Sequence, residues 1–241
     1  MSAQRYLVKI CGVTSAGDAR LAEEAGADFV GALVDVRASP RNLTLEQAMS
    51  VFEAPKVRRV LLAFQPPQTR LVEIVGALRP SAVQLLGNEP PSEVPRLLQA
   101  GAPLWKSVHM PPRGAPGADA ERLLKDMERY AQAGVSVLVL DTKATVRGVM
   151  QYGGTGLTND WTVAADIVRR APLPVMLAGG IDPANVAEAL ERVRPTGVDL
   201  SSGVEARIGK KDPDKVRRLL LAVREAEQRI GGPPPREGEQ A

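Results

Sequence analysis

The stretch "AQAGVSVLVLDTK", residues 131–143, decides the fold. Its first four residues close a charged, helix-patterned segment on Ala-Gly. Glycine there takes the left-handed conformation that ends many helices. The run "VSVLVL" that follows is almost unbroken apolar sequence, as expected of a strand covered on both faces. A carboxylate, Asp141, then stands at the end of that run. The same cadence, helix to Ala-Gly to apolar run, recurs in "EEAGADFV" (23–30) and "LQAGAPLW" (98–105).

Working outward, short runs rich in Val, Leu and Ile appear at 6–11, 29–34, 57–64, 82–87, 104–110, 135–141, 174–180 and 197–203. Helix-patterned segments with charge on one face alternate with them. "SAGDARLAEEAGA" opens on Ser15, with Asp18 three residues on. "TLEQAMSVFEA" opens on Thr44, with Gln47 at the same offset. "DPANVAEALERV" opens on Asp182, with Pro183 expected at the first helical position. Eight strands alternating with helices predict an α/β protein, a (β/α)8 TIM barrel in a single domain over residues 1–230. The competing open, doubly wound sheet carries a G-x-G-x-x-G turn after its first strand, and "CGVTSAG" does not fit it. The tail 231–241, "GGPPPREGEQA", has nothing to bury and is expected to be disordered.

Composition narrows the functional class. The 241 residues are 44% hydrophobic and 24% charged, but only 3% aromatic, which suits a soluble domain with an aliphatic core. The net charge of +3 comes from scattered Lys and Arg, with no basic run interleaved with aromatics, so no nucleic-acid partner is expected. No stretch approaches the ~20 apolar residues of a membrane span. The opening "MSAQRYLVKI" lacks the apolar core of a secretory leader. One cysteine allows no internal disulfide, and a cytoplasmic location is expected.

A barrel of this kind places its chemistry at the C-terminal ends of the strands. Cys11 ends the first run and Asp141 the sixth. Each also has a plain structural reading, Cys11 as a small buried hydrophobe and Asp141 as a turn cap. "YGGTG" (152–156), "LAGGID" (177–182) and "DLSSGVE" (199–205) lie at three successive strand ends. Glycine lets backbone approach an anion, and Ser hydroxyls add donors, so together they point to a phosphate site. Arg41, in the loop after the second run, is either surface charge or a two-point grip for a carboxylate. His109, the one histidine, is expected to be structural or peripheral. No metal-binding or dinucleotide motif is present, so no metal and no cofactor are expected. Cofactor-free acid–base chemistry on a phosphorylated small molecule remains: isomerisation, elimination or aldol-type cleavage.

The segments "KICGVTSAGDARLAEEAGADFVG", "SPR", "VQL-x-G", "LDT", "GGTG-x-T-x-DW", "LAGGIDPANVAEAL" and "GVDLSSGVE" run in register from residue 8 to about residue 220. Together they resemble the phosphoribosylanthranilate isomerases of tryptophan biosynthesis. The resemblance implies a cofactor-free Amadori rearrangement of N-(5-phosphoribosyl)anthranilate to 1-(2-carboxyphenylamino)-1-deoxyribulose 5-phosphate. It implies Cys11 as general base and Asp141 as general acid. Gly153, Gly154, Gly156, Gly179, Gly180, Ser201, Ser202 and Gly203 would hold phosphate, and Arg41 the anthranilate end. Gln84 and Asp199 are implied as further substrate-binding residues, and a monomer or homodimer as the assembly. The chain departs from the family with Asp35 after the second run, Leu86 where histidine is common, Asn159 where phenylalanine is common, and a long link between Asp141 and "GGTG". These changes are expected at the mouth. They keep open a related isomerase for a different N-linked phosphoribosyl compound, and a non-catalytic phosphosugar-binding barrel.

Overall fold

A computed structural model describes residues 5–54, 56–146, 149–152 and 156–235. Its barrel strands are β1 Leu7–Ile10, β2 Phe29–Val34, β3 Arg58–Ala63, β4 Ala82–Leu85, β5 Leu104–Met110, β6 Val137–Val146, β7 Val175–Leu177 and β8 Gly197–Leu200. Each pairs in parallel with the next, from Phe29 beside Arg58 round to Gly197 beside Met176. Pairing of β1 with both β2 and β8 closes the ring. The expected TIM barrel is the observed fold.

The helices are α1 Ala16–Glu24, α2 Leu45–Glu53, α3 Gln68–Leu78, α4 Val94–Leu98, α5 Ala120–Ala133, α6 Trp161–Arg170, α7 Val186–Val193 and α8 Pro213–Ile230. Ser15 caps α1 by accepting from the Asp18 N–H, and Thr44 and Gln47 form a reciprocal capping box on α2. The glycines of the three Ala-Gly ends, Gly26, Gly101 and Gly134, all have positive φ, as a left-handed helix end requires. The helix expected from Asp182 starts later, at Val186. Asp182 accepts instead from the N–H groups of Ala184 and Asn185, while Asn185 Oδ1 accepts from the Asp182 N–H. This local turn satisfies the donors that a helix would have used.

Side chains alternate across each strand. One face of every strand packs under the helices in the main apolar core, which includes Ile10, Leu61, Leu85 and Leu140. The other face fills the barrel with Phe29, Leu62, Trp105, Val139 and Met176, among others. Phe29 and Trp105 meet edge to face at 5.0 Å. The sixth strand is longer than its apolar run. Pairing of β6 with β7 stops at Leu140 beside Leu177, but β6 continues to Val146 and pairs antiparallel with Val149–Tyr152. Thr and Val enrich this link and favour extended backbone. Asp141 therefore does not end a strand. It marks the point where one strand leaves the barrel wall and becomes a hairpin arm, with His109 beside it in register.

Candidate active site

A cavity of about 690 Å³ opens at the C-terminal end of the barrel. Its wall includes Cys11 directly after β1, Gln84 on β4 and Asp141 on β6, Asp35 and Arg41 from the loop after β2, and Leu86 from the loop after β4. Gly179 and Gly180 after β7, and Asp199, Ser201, Ser202 and Gly203 along and after β8, complete it. The sequence-predicted residues are thus brought to one site, with three exceptions. Gly153 and Gly154 lie outside the described residues, and Gly156 is not part of the cavity wall.

The glycine loops meet one another. A Cβ on Gly203 would stand 2.0 Å from the carbonyl oxygen of Ile181, so only glycine lets the loops after β7 and β8 touch. Gly12 answers a similar need beside the thiol. It has φ of 65°, and a Cβ there would meet Arg41 Cδ at 2.6 Å and Ser201 Oγ at 2.7 Å.

Lys9 lies beneath the mouth. It sits two residues before Cys11 on β1 and so shares its face of the strand. The side chain is fully buried and donates from Nζ to Gln84 Oε1 at 2.7 Å and to Asp199 Oδ2 at 2.7 Å. Gln84 in turn donates from Nε2 to Ser107 Oγ at 3.0 Å. Gln84 and Asp199 are therefore held in a polar chain across the barrel interior. Asp199 Oδ1, buried, has no hydrogen-bond partner among the described residues.

Cys11 and Asp141 both feel this chain. Burial pushes the Asp141 carboxyl up to about 7, against the pull of the Thr142 N–H that Oδ1 accepts at 2.7 Å, and Asp199 adds to the rise. Burial also pushes the Cys11 thiol above its ordinary value, although Lys9 and Lys211 both favour the thiolate. A carboxyl near 7 is protonated in a useful fraction at neutral pH, as a general acid needs to be. His109 lies beside Asp141 on β5 and is held neutral. Burial, Lys106 and Lys143 push its pKa down to about 3.

Arg41 reaches the wall with its fork already engaged. Nε donates to Glu205 Oε1 at 2.8 Å and Nη2 to Glu205 Oε2 at 2.7 Å. Lys211 Nζ also donates to Glu205 Oε1 at 3.0 Å and to the Ser201 carbonyl at 3.1 Å. The cluster joins the loop after β2 to a small hairpin, Glu205–Arg207 and Lys210–Lys211, after β8. The departures divide. Leu86 and Asp35 line the cavity, and Asp35 accepts from Arg70 Nε of α3 at 2.7 Å. Asn159 does not line it; it is buried, donating from Nδ2 to the Ala178 carbonyl at 3.3 Å. Asn159 therefore ties the loop before α6 to the end of β7.

Sequence reasoning missed Lys9, Glu205 and Lys211. Alternation in "YLVKIC" could have found Lys9, since it places Lys9 and Cys11 on one face. Among the described residues, no three His, Cys, Asp or Glu side chains are grouped to hold a metal ion, and no helix is long and apolar enough to cross a membrane.

Known proteins resemble this chain in sequence and fold. The family described as N-(5′-phosphoribosyl)anthranilate (PRA) isomerase matches residues 8–222. The N-(5′-phosphoribosyl)anthranilate isomerase of Methanocella arvoryzae is 42% identical over 221 residues, covering 90% of this chain and 97% of that protein. A crystal structure of monomers generated from the dimeric phosphoribosylanthranilate isomerase of Thermotoga maritima superposes with a TM-score of 0.73 at 30% identity, over 91% of this chain and 99% of that one. A phosphoribosylanthranilate isomerase in complex with reduced 1-(o-carboxyphenylamino)-1-deoxyribulose 5-phosphate superposes at 0.72, also at 30% identity, over 91% and 99%.

Proposed function

The chain belongs to the N-(5′-phosphoribosyl)anthranilate isomerase family, an activity of tryptophan biosynthesis, and from that premise we propose how its residues divide the work. Asp141 is the general acid and Cys11 the general base of the rearrangement of N-(5′-phosphoribosyl)anthranilate to 1-(2-carboxyphenylamino)-1-deoxyribulose 5-phosphate. One observation carries the reading. Cys11, directly after β1, and Asp141, on β6, face a single cavity that also takes in the loops at Gly179–Gly180 and Ser201–Gly203.

The substrate's phosphate is held by Gly179, Gly180, Ser201, Ser202 and Gly203, with Gly153, Gly154 and Gly156 as further candidates. Its anthranilate carboxylate is directed to Arg41. Asp141 hands its proton to the ribose ring oxygen, the C1–O bond breaks, and the furanose opens to a Schiff base. Cys11 then takes the proton from C2, giving an enolamine that tautomerises to the ketone. No metal and no cofactor enters these steps. The raised Asp141 pKa supports the acid role. A monomer or homodimer in the cytoplasm completes the reading, and the lone free thiol Cys11 fits a reducing compartment.

Steady-state turnover of freshly generated substrate tests it, with Cys11→Ser and Asp141→Asn alongside. Wild-type turnover with both variants impaired is expected. A folded protein with no turnover of this substrate, but with turnover of another N-linked phosphoribosyl compound, would transfer the reading to that compound. No turnover on either would leave a binding barrel.

A further inference from the structure

We propose that Lys9 is the counter-ion of Cys11: its buried ammonium orients Sγ and holds the thiolate that removes the substrate proton, while Asp199 sets how strongly it does so. This rests on the reading of Cys11 as the base, and it assigns Lys9 a positioning role.

The geometry is specific. Lys9 and Cys11 project from β1 into the barrel, and Gly31 of β2 faces them both. A Cβ on Gly31 would stand 3.0 Å from Lys9 Cε and 3.2 Å from Cys11 Sγ, so the missing side chain is the space that lets ammonium stem and thiol lie side by side. An ammonium has three N–H donors. One goes to Gln84 and one to Asp199, both at 2.7 Å, which fixes the direction left for the third. Arg41, Lys211 and Asp199 are the other charges that act on the thiol. The side chains of Arg41 and Lys211 are drawn onto Glu205. Lys9 is the cation fixed on the thiol's own strand.

Charge agrees with this placement. Lys9 favours the thiolate by its charge, whereas Asp199 opposes it by charge. Burial works against the Lys9 charge, but Asp199 and Cys11 outweigh it and hold Lys9 protonated. Substrate entry would exclude water and strengthen the Lys9–thiolate attraction.

Cys11 is the one cysteine in the chain, so thiolate absorbance in the ultraviolet reads it alone. Titration of wild type, Lys9→Met and Asp199→Asn gives shifts of opposite sign if the proposal holds. In Lys9→Met the midpoint rises, and the thiolate fraction on the rising limb falls roughly tenfold, the effect of one pKa unit. In Asp199→Asn the midpoint falls. For Lys9→Met, kcat drops with the thiolate fraction while KM stays within about twofold of wild type. Where Lys9→Met does not fold, Lys9→Met/Asp199→Asn removes both charges. Its midpoint should still rise, because the Lys9 charge acts on the thiol more strongly than the Asp199 charge does.

Shifts of the same sign in the two single variants, or no shift in either Lys9 variant, would overturn the proposal. The base assignment fails separately, if Cys11→Ser turns over substrate at the wild-type rate.

Discussion

Two buried lysines on the barrel strands hold carboxylates, one on each side of the wall. Lys9 points inward and pairs with Asp199 beneath the mouth. Lys106 lies on β5 between the inward-facing Trp105 and Ser107, so it points outward. There it pairs with Glu89 at 3.0 Å and donates to the Gly87 carbonyl at 2.6 Å. It also lies over the Tyr130 ring of α5. Glu89 in turn accepts from the backbone N–H groups of Gln65 and Gly87. The outer pair is thus tied into loops at the ends of β3 and β4. The inner pair spends its hydrogen bonds on side chains that border the cavity. Burial lowers the pKa of Lys106 despite Glu89, whereas Asp199 and Cys11 overcome burial at Lys9. Two lysine–carboxylate pairs therefore stand in different settings: one ties loops together, and the other lies beside Cys11 and Asp141.

The largest effect should come from the groups the inner pair serves. Cys11→Ser and Asp141→Asn are each expected to lower kcat by ~10²–10⁴, the usual cost of losing acid–base catalysis. Stopped or steady-state turnover measures it. Equal loss in a variant of the outer pair would break the comparison.

Next come the pairs themselves. Removing one partner of a buried ion pair costs about 3–5 kcal/mol. Lys9→Met should lie at the upper end, because among the described residues Asp199 Oδ2 accepts from Lys9 alone and Oδ1 has no hydrogen-bond partner. Lys106→Met should cost less, since Glu89 keeps its backbone donors. Denaturant midpoints read both. Only Lys9→Met should also lose kcat per folded molecule. A Lys106→Met enzyme that folds but has lost kcat would contradict the division of roles.

The smallest effect belongs to the rim. Asp35 and Arg70 form a half-exposed pair, and solvent screening leaves such pairs little net effect on stability. Arg70→Ala should leave stability nearly unchanged and move KM by no more than a few-fold. A larger KM change would show that Asp35 is part of substrate selection.

Much of this was legible in sequence because it rests on local rules. Periodicity and the Ala-Gly cadence placed all eight strands, and the position of Cys11 and Asp141 on apolar runs pointed to the mouth. Asp182 misled for a local reason: in a turn its side chain can satisfy the same donors as a helix cap. Asp141 misled because apolar content stops where the barrel stops, while backbone pairing continues to Val146. Arg41 was placed at the mouth, but its partner Glu205 is 164 residues away, and no spacing rule links them. Lys9 was visible by alternation. It was overlooked because a lysine in a strand is ordinarily read as exposed.

The pH dependence of wild-type kcat/KM tests the central claim most directly. The productive form needs a thiolate at Cys11 and a protonated Asp141. Below pH 7 Asp141 is protonated and the thiolate fraction rises with pH, so activity should climb. Above the Asp141 pKa of about 7, each gain in thiolate is offset by loss of the Asp141 proton, so activity should level off. Above the raised thiol pKa, thiolate no longer accumulates while the acid continues to be lost, so activity should fall. The expected profile bends near pH 7 and declines only above the ordinary thiol range. A profile with no bend near pH 7, or one that keeps climbing past the thiol, would contradict the assignment of acid and base.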